Sequence, residues 1–226
     1  MKMKITMILL LGALVAPTAR AESGAYGFRI YPLDWKEQKL FGENSVSEDI
    51  TAFGPSFLFR FGGGDALAVG LDGYYGSGGD LDRAELEGRF IYSPSDAFDI
   101  SLDLRHTRYD YTARSGERKV EISTRGTGPG LGLHVQAPLG EFGFIAFGST
   151  RGMAMSMSTD VQDVSDRWTF LWLYELGIAY AQRIEMGLPD TSFYLAAGYR
   201  HQQMRGGDFD ETVQMPFVEF GVRQQF

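Results

Sequence analysis

The sequence predicts an all-β protein, a single antiparallel up-and-down transmembrane β-barrel of about ten strands, and three observations support this prediction. Apolar and polar residues alternate with a period of two over most of the chain, as in strands with one apolar and one polar face. Short stretches rich in Gly, Pro, Ser and Asp separate these segments, as turns do. The mean hydropathy is slightly negative, −0.16, despite the many aromatic residues, as expected when half of each strand faces a polar lumen.

The first segment, 1–21, is predicted to be a cleaved signal peptide, which leaves 22–226 as one barrel domain. A basic start at Lys2 and Lys4 precedes a short apolar run, 5–15, and 19–21 offers a small-x-small cleavage site. The apolar run is too short to span a bilayer as a helix, which needs about 20 residues. A retained anchor helix is the alternative.

Charge and cysteine content exclude several classes of protein. Cleavage would remove three basic residues and no acid, so the net charge would change from −8 to −11. This balance argues against a nucleic-acid partner, because nucleic-acid binders carry basic patches. It suits an outer surface near divalent cations, although solubility alone would also explain it. The absence of cysteine excludes a disulfide scaffold and thiol chemistry.

Ten segments of the chain read as candidate strands. They are 25–33, 50–62, 66–76, 81–92, 97–111, 120–137, 142–157, 168–184, 192–204 and 212–226. The seventh is ambiguous in register, because Phe144 and Phe147 have opposite parity. Eight strands is the alternative count, because the first segment is short and contains Pro32.

A soluble β-sandwich is the alternative fold, since its strands also alternate. Two features favour the barrel: the apolar faces are large and aromatic on nearly every strand, and the opposite faces carry charges of both signs. The connections also alternate in length, as expected for short turns at one end of a membrane barrel and longer loops at the other. The short connections are 62–65, 93–96, 138–141 and 185–191, with 77–80 as a short exception among the longer, mostly acidic set of 34–49, 112–119, 158–167 and 205–211.

The last candidate strand carries a resemblance to a known class of proteins. Val218, Phe220, Val222 and Phe226 share one parity in this strand, and it ends in an aromatic residue. This pattern resembles the assembly signal of Gram-negative outer-membrane β-barrels. The residues of this signal would be Phe220, Gly221, Val222 and Phe226. Gln224 departs from the pattern, where another apolar residue is usual. The resemblance is to the small outer-membrane barrels as a class, without a specific family. It implies integral localisation in the outer membrane, contact with membrane lipid and lipopolysaccharide, recognition by the barrel-assembly machinery, and a monomer.

Charged residues on the polar faces would fill the lumen of such a barrel. Eight strands leave just enough interior for side chains and an open channel needs about 16, so ten strands give a narrow lumen. Each buried ion there needs an opposite partner. The predicted lumen charge network comprises Arg60, Asp72, Glu85, Glu87, Arg89, Asp99, Asp103, Arg105, Glu175, Arg200, Glu219 and Arg223. Arg29 and Arg183 also have the lumen-facing parity.

One register hypothesis sharpens this network. If Tyr92 pairs with Phe98 across the 93–96 turn, Glu87 lies opposite Asp103, and such a like-charge pair would need a neighbouring arginine, a cation or a shared proton. The same register pairs Glu85 with Arg105 and Arg89 with Ser101. An ordinary salt-bridge network is the favoured interpretation, and a proton or cation pathway is the alternative.

Candidate catalytic and metal-binding residues are few. Of the three histidines, His134 is predicted to face inward, whereas His106 and His201 have the lipid-facing parity near the outer rim. Neither supplies the His-x-Ser pattern of the outer-membrane lipid A deacylases. The thioethers of Met153, Met155 and Met157 could bind Cu(I), but these methionines are better interpreted as a flexible apolar strand end. No catalytic residue, metal or cofactor is therefore predicted.

The function predicted from the sequence is an integral, non-catalytic membrane protein with a narrow, charge-filled lumen and acidic surface loops. It would support the envelope or interact at the cell surface. A narrow channel for small or hydrophobic solutes is the first alternative, and a membrane-embedded lipid or peptide hydrolase is the second. Architecture alone does not choose among them.

Overall fold

The chain forms a closed barrel of ten antiparallel strands, in which sequence neighbours pair and the first strand pairs with the last. The computed structural model describes residues 21–37, 46–61, 66–115, 118–160, 167–183, 190–207 and 209–225. The strands are β1 (Ala21–Glu37), β2 (Val46–Phe61), β3 (Leu67–Gly78), β4 (Leu81–Ser95), β5 (Phe98–Ser115), β6 (Arg118–Leu139), β7 (Phe144–Thr159), β8 (Arg167–Arg183), β9 (Thr191–Gly206) and β10 (Phe209–Gln225). The predicted all-β up-and-down barrel is confirmed. Ten strands is correct and the alternative of eight is wrong. The predicted signal peptide lies outside these residues, apart from Ala21.

Pro32 does not end the first strand, because it lies where the backbone ladder is interrupted. Between β1 and β10 the register runs without a break to Ile30 opposite Val218 and resumes at Asp34 opposite Gln214. Pro32 lies within this gap on β1 and Pro216 lies within it on β10. A proline has no N–H to donate to a ladder, so one gap accommodates both prolines. The strand therefore continues to Glu37, beyond its predicted end.

The two faces of the sheet differ in the way the alternation predicted. The outer wall exposes large apolar side chains on every strand, with Leu131 at 66% exposure among the most exposed. The inner wall buries its side chains, both charged and apolar. In β7, whose register the sequence left open, the side chains of Arg151, Met153, Met155 and Met157 are buried inside.

The two ends of the barrel can be distinguished by the strands that begin and end there. We call the end where β1 begins and β10 ends the terminal end, and the opposite one the loop end. Strands meet in short turns at both: residues 96–97 and 140–143 at the terminal end, and 79–80 at the loop end. Gly79 and Gly140 have positive φ of 58° and 70°, a conformation that glycine adopts without a Cβ penalty. Within the described ranges, no helix is long and apolar enough to cross a membrane.

Candidate functional site in the barrel lumen

The lumen is the part of the molecule where polar chemistry concentrates, and its filling changes from one end to the other. An apolar cluster fills the half nearest the loop end. An ionic layer crosses the middle. A polar cavity of about 240 Å³ lies toward the terminal end.

Arg105 lies at the centre of the ionic layer and is 1% exposed. Its guanidinium donates to Glu87 Oε2 at 3.0 Å, to Gln202 Oε1 at 2.6 Å, and to the carboxylate of Glu85. Gln202 is on β9, across the barrel from β5, so this arginine joins opposite walls. One cation thus links two carboxylates and an amide in a region without solvent exposure.

A second arginine, Arg83, connects the ionic layer to the apolar cluster. Its Nη2 lies 2.6 Å from Glu85 Oε1 and its Nη1 lies 2.8 Å from Glu211 Oε1. The side chains of Arg83 and Glu211 are fully buried. The guanidinium also donates to Tyr74 Oη at 3.1 Å and lies 5.3 Å from the ring centroid of Tyr109. A buried ion pair of this kind is strongly destabilised when one partner is lost.

Glu175 and Glu219 bind two further arginines on the side of the layer nearest the cavity. Arg200 Nε donates to Glu175 Oε2 at 2.7 Å. Arg29 donates to Glu219 and lies 3.5 Å from Glu175. The hydroxyl groups of Ser56 on β2 and Tyr194 on β9 each donate to Glu219 Oε1 at 2.7 Å. Strands β1, β2, β8, β9 and β10 therefore share one hydrogen-bonded network.

The register hypothesis for β4 and β5 is wrong by two residues. Tyr92 pairs with Ile100, and a bulge between Tyr92 and Ser95 precedes the pairing of Ser95 with Phe98. The turn is thus shorter than predicted, because the strand continues through Pro94. The resulting pairs are Glu85 with Thr107, Glu87 with Arg105, Arg89 with Asp103 and Ile91 with Ser101. Opposite charges therefore face each other, and the like-charge pair does not exist.

Asp103 is the exception within the layer. It is 2% exposed and makes no ion pair with any described residue, although Arg89 lies opposite it. Arg89 donates instead to Asp72. Arg151 from β7 donates to Glu87, not to Asp103, so neither of these arginines neutralises the Asp103 carboxylate by direct contact.

The other predicted members of the network lie toward the terminal end. Arg60 and Asp99 line the cavity, and Arg60 Nη1 donates to Ser93 Oγ at 3.2 Å. Arg223 is exposed at the terminal end of β10, outside the ionic layer. The remaining predicted residues, Asp72, Glu85, Glu87, Arg89, Asp103, Arg105, Glu175, Arg200 and Glu219, all lie in or beside that layer.

Three charged members of the layer were not predicted, each for an identifiable reason. Arg83 shares the parity of Glu85 and Glu87, so the alternation itself could have found it. Arg151 lies in the strand whose register was ambiguous. Glu211 lies in a segment that was predicted to be a loop but belongs to β10.

The apolar cluster at the loop end was also not predicted. Its largest members have no appreciable exposure: Trp35, Tyr109, Phe209, Met153, Met155 and Met157. The three methionines were interpreted as a flexible strand end, but they line the inner wall. Rings pack directly against each other there, with Trp35 and Tyr111 at 5.1 Å between centroids. Side chains from both walls thus fill this half of the lumen.

The cavity at the terminal end is lined by both polar and apolar side chains, and the polar ones are the more numerous. They include Arg60, Asp72, Asp99, His134, Ser149 and Tyr194. His134 faces inward as predicted and its ring stacks on Phe147, with centroids 6.2 Å apart. The cavity ends at the ionic layer, where Arg29, Arg89, Arg151 and Glu219 form its inner boundary.

The other two histidines lie on the outer wall, as their parity predicted. His106 is exposed, and its Nδ1 is 2.8 Å from Thr127 Oγ1. His201 is half-buried on β9. No ion pair joins a histidine to a carboxylate in the ranges that the structure covers, and no group of three or more His, Asp or Glu there could hold a metal ion.

The residues of the predicted assembly signal occupy the closing strand. Phe220 and Val222 point outward and are exposed, whereas Gly221 is buried. A Cβ at Gly221 would overlap the carbonyl oxygen of Tyr26 and the ring of Tyr194, so β1 and β10 close tightly at this point. Phe226 lies outside the described residues.

The sequence matches no protein-family model, and no curated protein is significantly similar to it. Among solved structures, the outer-membrane protease OmpT of Escherichia coli is similar, with a TM-score of 0.53 and 11% identity over 93% of this chain and 99% of that one. The β-domain of the Bordetella autotransporter BrkA has a TM-score of 0.45 and 14% identity over 91% and 100%. The translocator domain of the autotransporter NalP from Neisseria meningitidis has a TM-score of 0.46 and 12% identity over 98% and 95%. The likeness to OmpT shows the fold alone. The chain thus has the fold of the small Gram-negative outer-membrane β-barrels, with no specific family indicated.

Proposed function

We propose that this chain is an integral outer-membrane barrel whose lumen is sealed, and that its role is non-catalytic, in envelope support or surface interaction. The observation that carries the proposal is the filled lumen. The apolar cluster and the ionic layer succeed each other along the barrel axis, and both are made of side chains with almost no exposure.

The outer wall supports the membrane location. Membrane barrels present an apolar band about 25 Å tall, with aromatic side chains at its edges. Leu102, Leu104, Leu131 and Leu176 are all more than half exposed on the wall of this barrel, and Trp168 is exposed near the loop end. A contiguous apolar surface of this extent would be unfavourable in water. The terminal end would then face the periplasm, because a barrel with an even number of strands has its first and last strand ends on that side in this class.

The lumen supports a sealed barrel over a channel. A water path would have to pass between Arg105, Glu85 and Glu87, which are joined by direct contacts. It would then have to cross the apolar cluster around Trp35 and Tyr109, where ring centroids are 6.0 Å apart. Opening this path would require the displacement of close-packed side chains, and such packing resists small adjustments.

The positions of the histidines support a non-catalytic role. His106 contacts a threonine on the outer wall, and His134 stacks on a ring in the cavity. A general base needs a nucleophile within reach and a group that orients it. A catalytic site at the loop end would be open to the cell exterior. Among the described residues there, no histidine has both a nucleophile within reach and a group that orients it.

The partners follow from the location and also belong to the proposal. Membrane lipid and lipopolysaccharide would cover the outer wall, and the assembly machinery would recognise the closing strand through Phe220, Gly221, Val222 and Phe226. The barrel would be a monomer, because closure leaves no free sheet edge for a second copy to pair with.

Conductance measurements in planar bilayers test the sealed lumen. We expect the purified protein to give no conductance steps, and vesicles that contain it to show no swelling with small sugars. The double variant Glu87→Gln/Asp103→Asn should behave in the same way, because a neutralised network remains filled. Regular steps from the parent protein that disappear in this variant would instead establish an ion pathway through the layer.

Cells that carry His106→Ala or His201→Ala test the non-catalytic role. We expect their lipid A profiles to match those of cells with the parent protein. A profile that changes with either variant would identify a hydrolase.

A further inference from the structure

Polar residues on the outer wall of β4–β7 lie in ordered rows near the loop end. In the β5–β6 register, His106 faces Thr127, then Arg108 faces Arg125, then Asp110 faces Ser123. The apolar pair below them is Leu104 and Pro129. From the apolar wall toward the loop end, the surface therefore changes from neutral polar to basic and then to acidic. We call Arg108 and Arg125 the basic row.

The basic row places two like charges side by side. Like charges directly opposite each other on a sheet are destabilising. Arg108 is partly compensated by Asp110, whose Oδ2 is 3.0 Å from Nη2. Arg125 is exposed and donates to a neutral partner, Ser158 Oγ, at 3.2 Å. Each guanidinium has five N–H donors, so both retain donors for an anion bound between them.

The height of the basic row matches the edge of the apolar band. Arg108 is ten residues beyond Phe98, where β5 begins. With a rise of about 3.3 Å per residue and a strand tilt of about 40°, this distance is about 25 Å along the barrel axis. The apolar band of a membrane barrel is about 25 Å tall. The basic row therefore lies where the headgroups of the outer leaflet begin.

Asp82, Asp110 and Asp160, which we call the acidic row, lie beyond the basic row and make a lipid a better occupant than a soluble anion. Asp82 faces Asp110 across β4 and β5, and Asp160 accepts from the backbone N–H of Ser123 at 2.8 Å. An anion that approaches from the solvent passes these carboxylates first. A lipid phosphate reaches the arginines from the side, with its acyl chains against Leu102 and Leu104.

We propose that Arg108 and Arg125 bind a phosphate group of an outer-leaflet glycolipid, with the acyl chains of that lipid against the β5–β6 wall. Arginine binds phosphate through two parallel N–H···O bonds. The two guanidinium groups would hold one phosphate between them, which would remove the repulsion within the basic row. The inference rests on the proposed outer-membrane location and adds a defined lipid site to it.

The test compares Arg108→Gln/Arg125→Gln with the parent protein in detergent, by native mass spectrometry with bisphosphorylated lipid A. A basic residue near an anionic lipid surface contributes about 1 kcal/mol, so the loss of two should weaken binding about thirtyfold. Arg205→Gln is the matched control. Arg205 is also an exposed arginine at the loop end, 67% exposed and 3.5 Å from Asp210, but it lies on β9. The affinity of the Arg205→Gln variant for lipid A should stay within about twofold of that of the parent protein.

Two further arms separate the source of the phosphate and guard against misfolding. Dephosphorylated lipid A should bind parent and double variant equally, and millimolar inorganic phosphate should not displace lipid A from the parent. Arg108→Lys/Arg125→Lys keeps both charges, so it should fold and bind with intermediate affinity. The inference is overturned if the glutamine variant binds lipid A like the parent, if Arg205→Gln weakens binding equally, or if free phosphate competes. The lipid site lies on the outer wall and does not affect bilayer conductance. A conductance measurement would therefore reveal a failure of the proposed sealed lumen independently of the lipid-binding result.

Discussion

The replacement Arg105→Met tests directly whether the lumen is filled or hydrated. Methionine is unbranched and apolar and can occupy the space of the aliphatic part of arginine, so the substitution removes the charge and leaves space only where the guanidinium was. The side chain of Arg105 contacts Glu85, Glu87 and Gln202. Its loss would leave two buried carboxylates with one cation fewer between them.

The expected magnitude follows from the partners that remain. Loss of one member of a buried ion pair costs about 3–5 kcal/mol. Glu85 keeps Arg83 at 2.6 Å, and Glu87 keeps Arg151. We therefore expect the lower end of this range, a loss of about 3 kcal/mol in the free energy of unfolding. In a hydrated lumen, the same pairs would be screened and worth at most about 1 kcal/mol.

Urea-induced unfolding from phospholipid vesicles, followed by tryptophan fluorescence, measures this difference. The exposed Arg223 supplies the control, since Arg223→Gln should change stability by no more than about 0.5 kcal/mol. Arg105→Met/Glu85→Gln removes a cation and an anion together, and it should recover at least about 1 kcal/mol relative to Arg105→Met. A loss below about 1 kcal/mol for Arg105→Met, with no recovery in the double variant, would refute the argument for a sealed ionic layer.

Two further predictions concern packing and closure. Phe209→Ala should reduce the free energy of unfolding by about 3 kcal/mol in the same assay, because it leaves a cavity in the apolar cluster. The control is Phe142→Ala, at a turn residue that is 80% exposed, which should cost less than about 0.5 kcal/mol. Equal costs would show that the cluster is loosely packed. Gly221→Ala should reduce the free energy of unfolding by about 2 kcal/mol, because the added Cβ overlaps the backbone of β1. The control is Gly88→Ala, which should be tolerated because a Cβ at that position meets open space. The heat-dependent gel migration of the folded barrel checks this second pair, and normal folding of Gly221→Ala would contradict the tight closure of β1 and β10.

The sequence by itself determined the strands and the orientation of their faces. Alternation with a period of two assigns every side chain of a strand to one of two sides, and a strand that slipped by one residue would expose its apolar set to the wrong side. For this reason the inward positions of Glu85, Arg105, Glu175 and Arg200 could be predicted without coordinates.

The tertiary structure decided which of these side chains meet. A bulge between Tyr92 and Ser95 moved the β4–β5 register by two residues, which preserves the faces and changes every partner. Barrel closure then brought Arg83 to Glu211 and Arg105 to Gln202, pairs that are far apart in the chain. Alternation carries no information about position along the barrel axis. The height at which opposite walls meet depends on strand tilt and stagger around the closed sheet, and so the apolar filling around Trp35 became apparent only in the folded barrel.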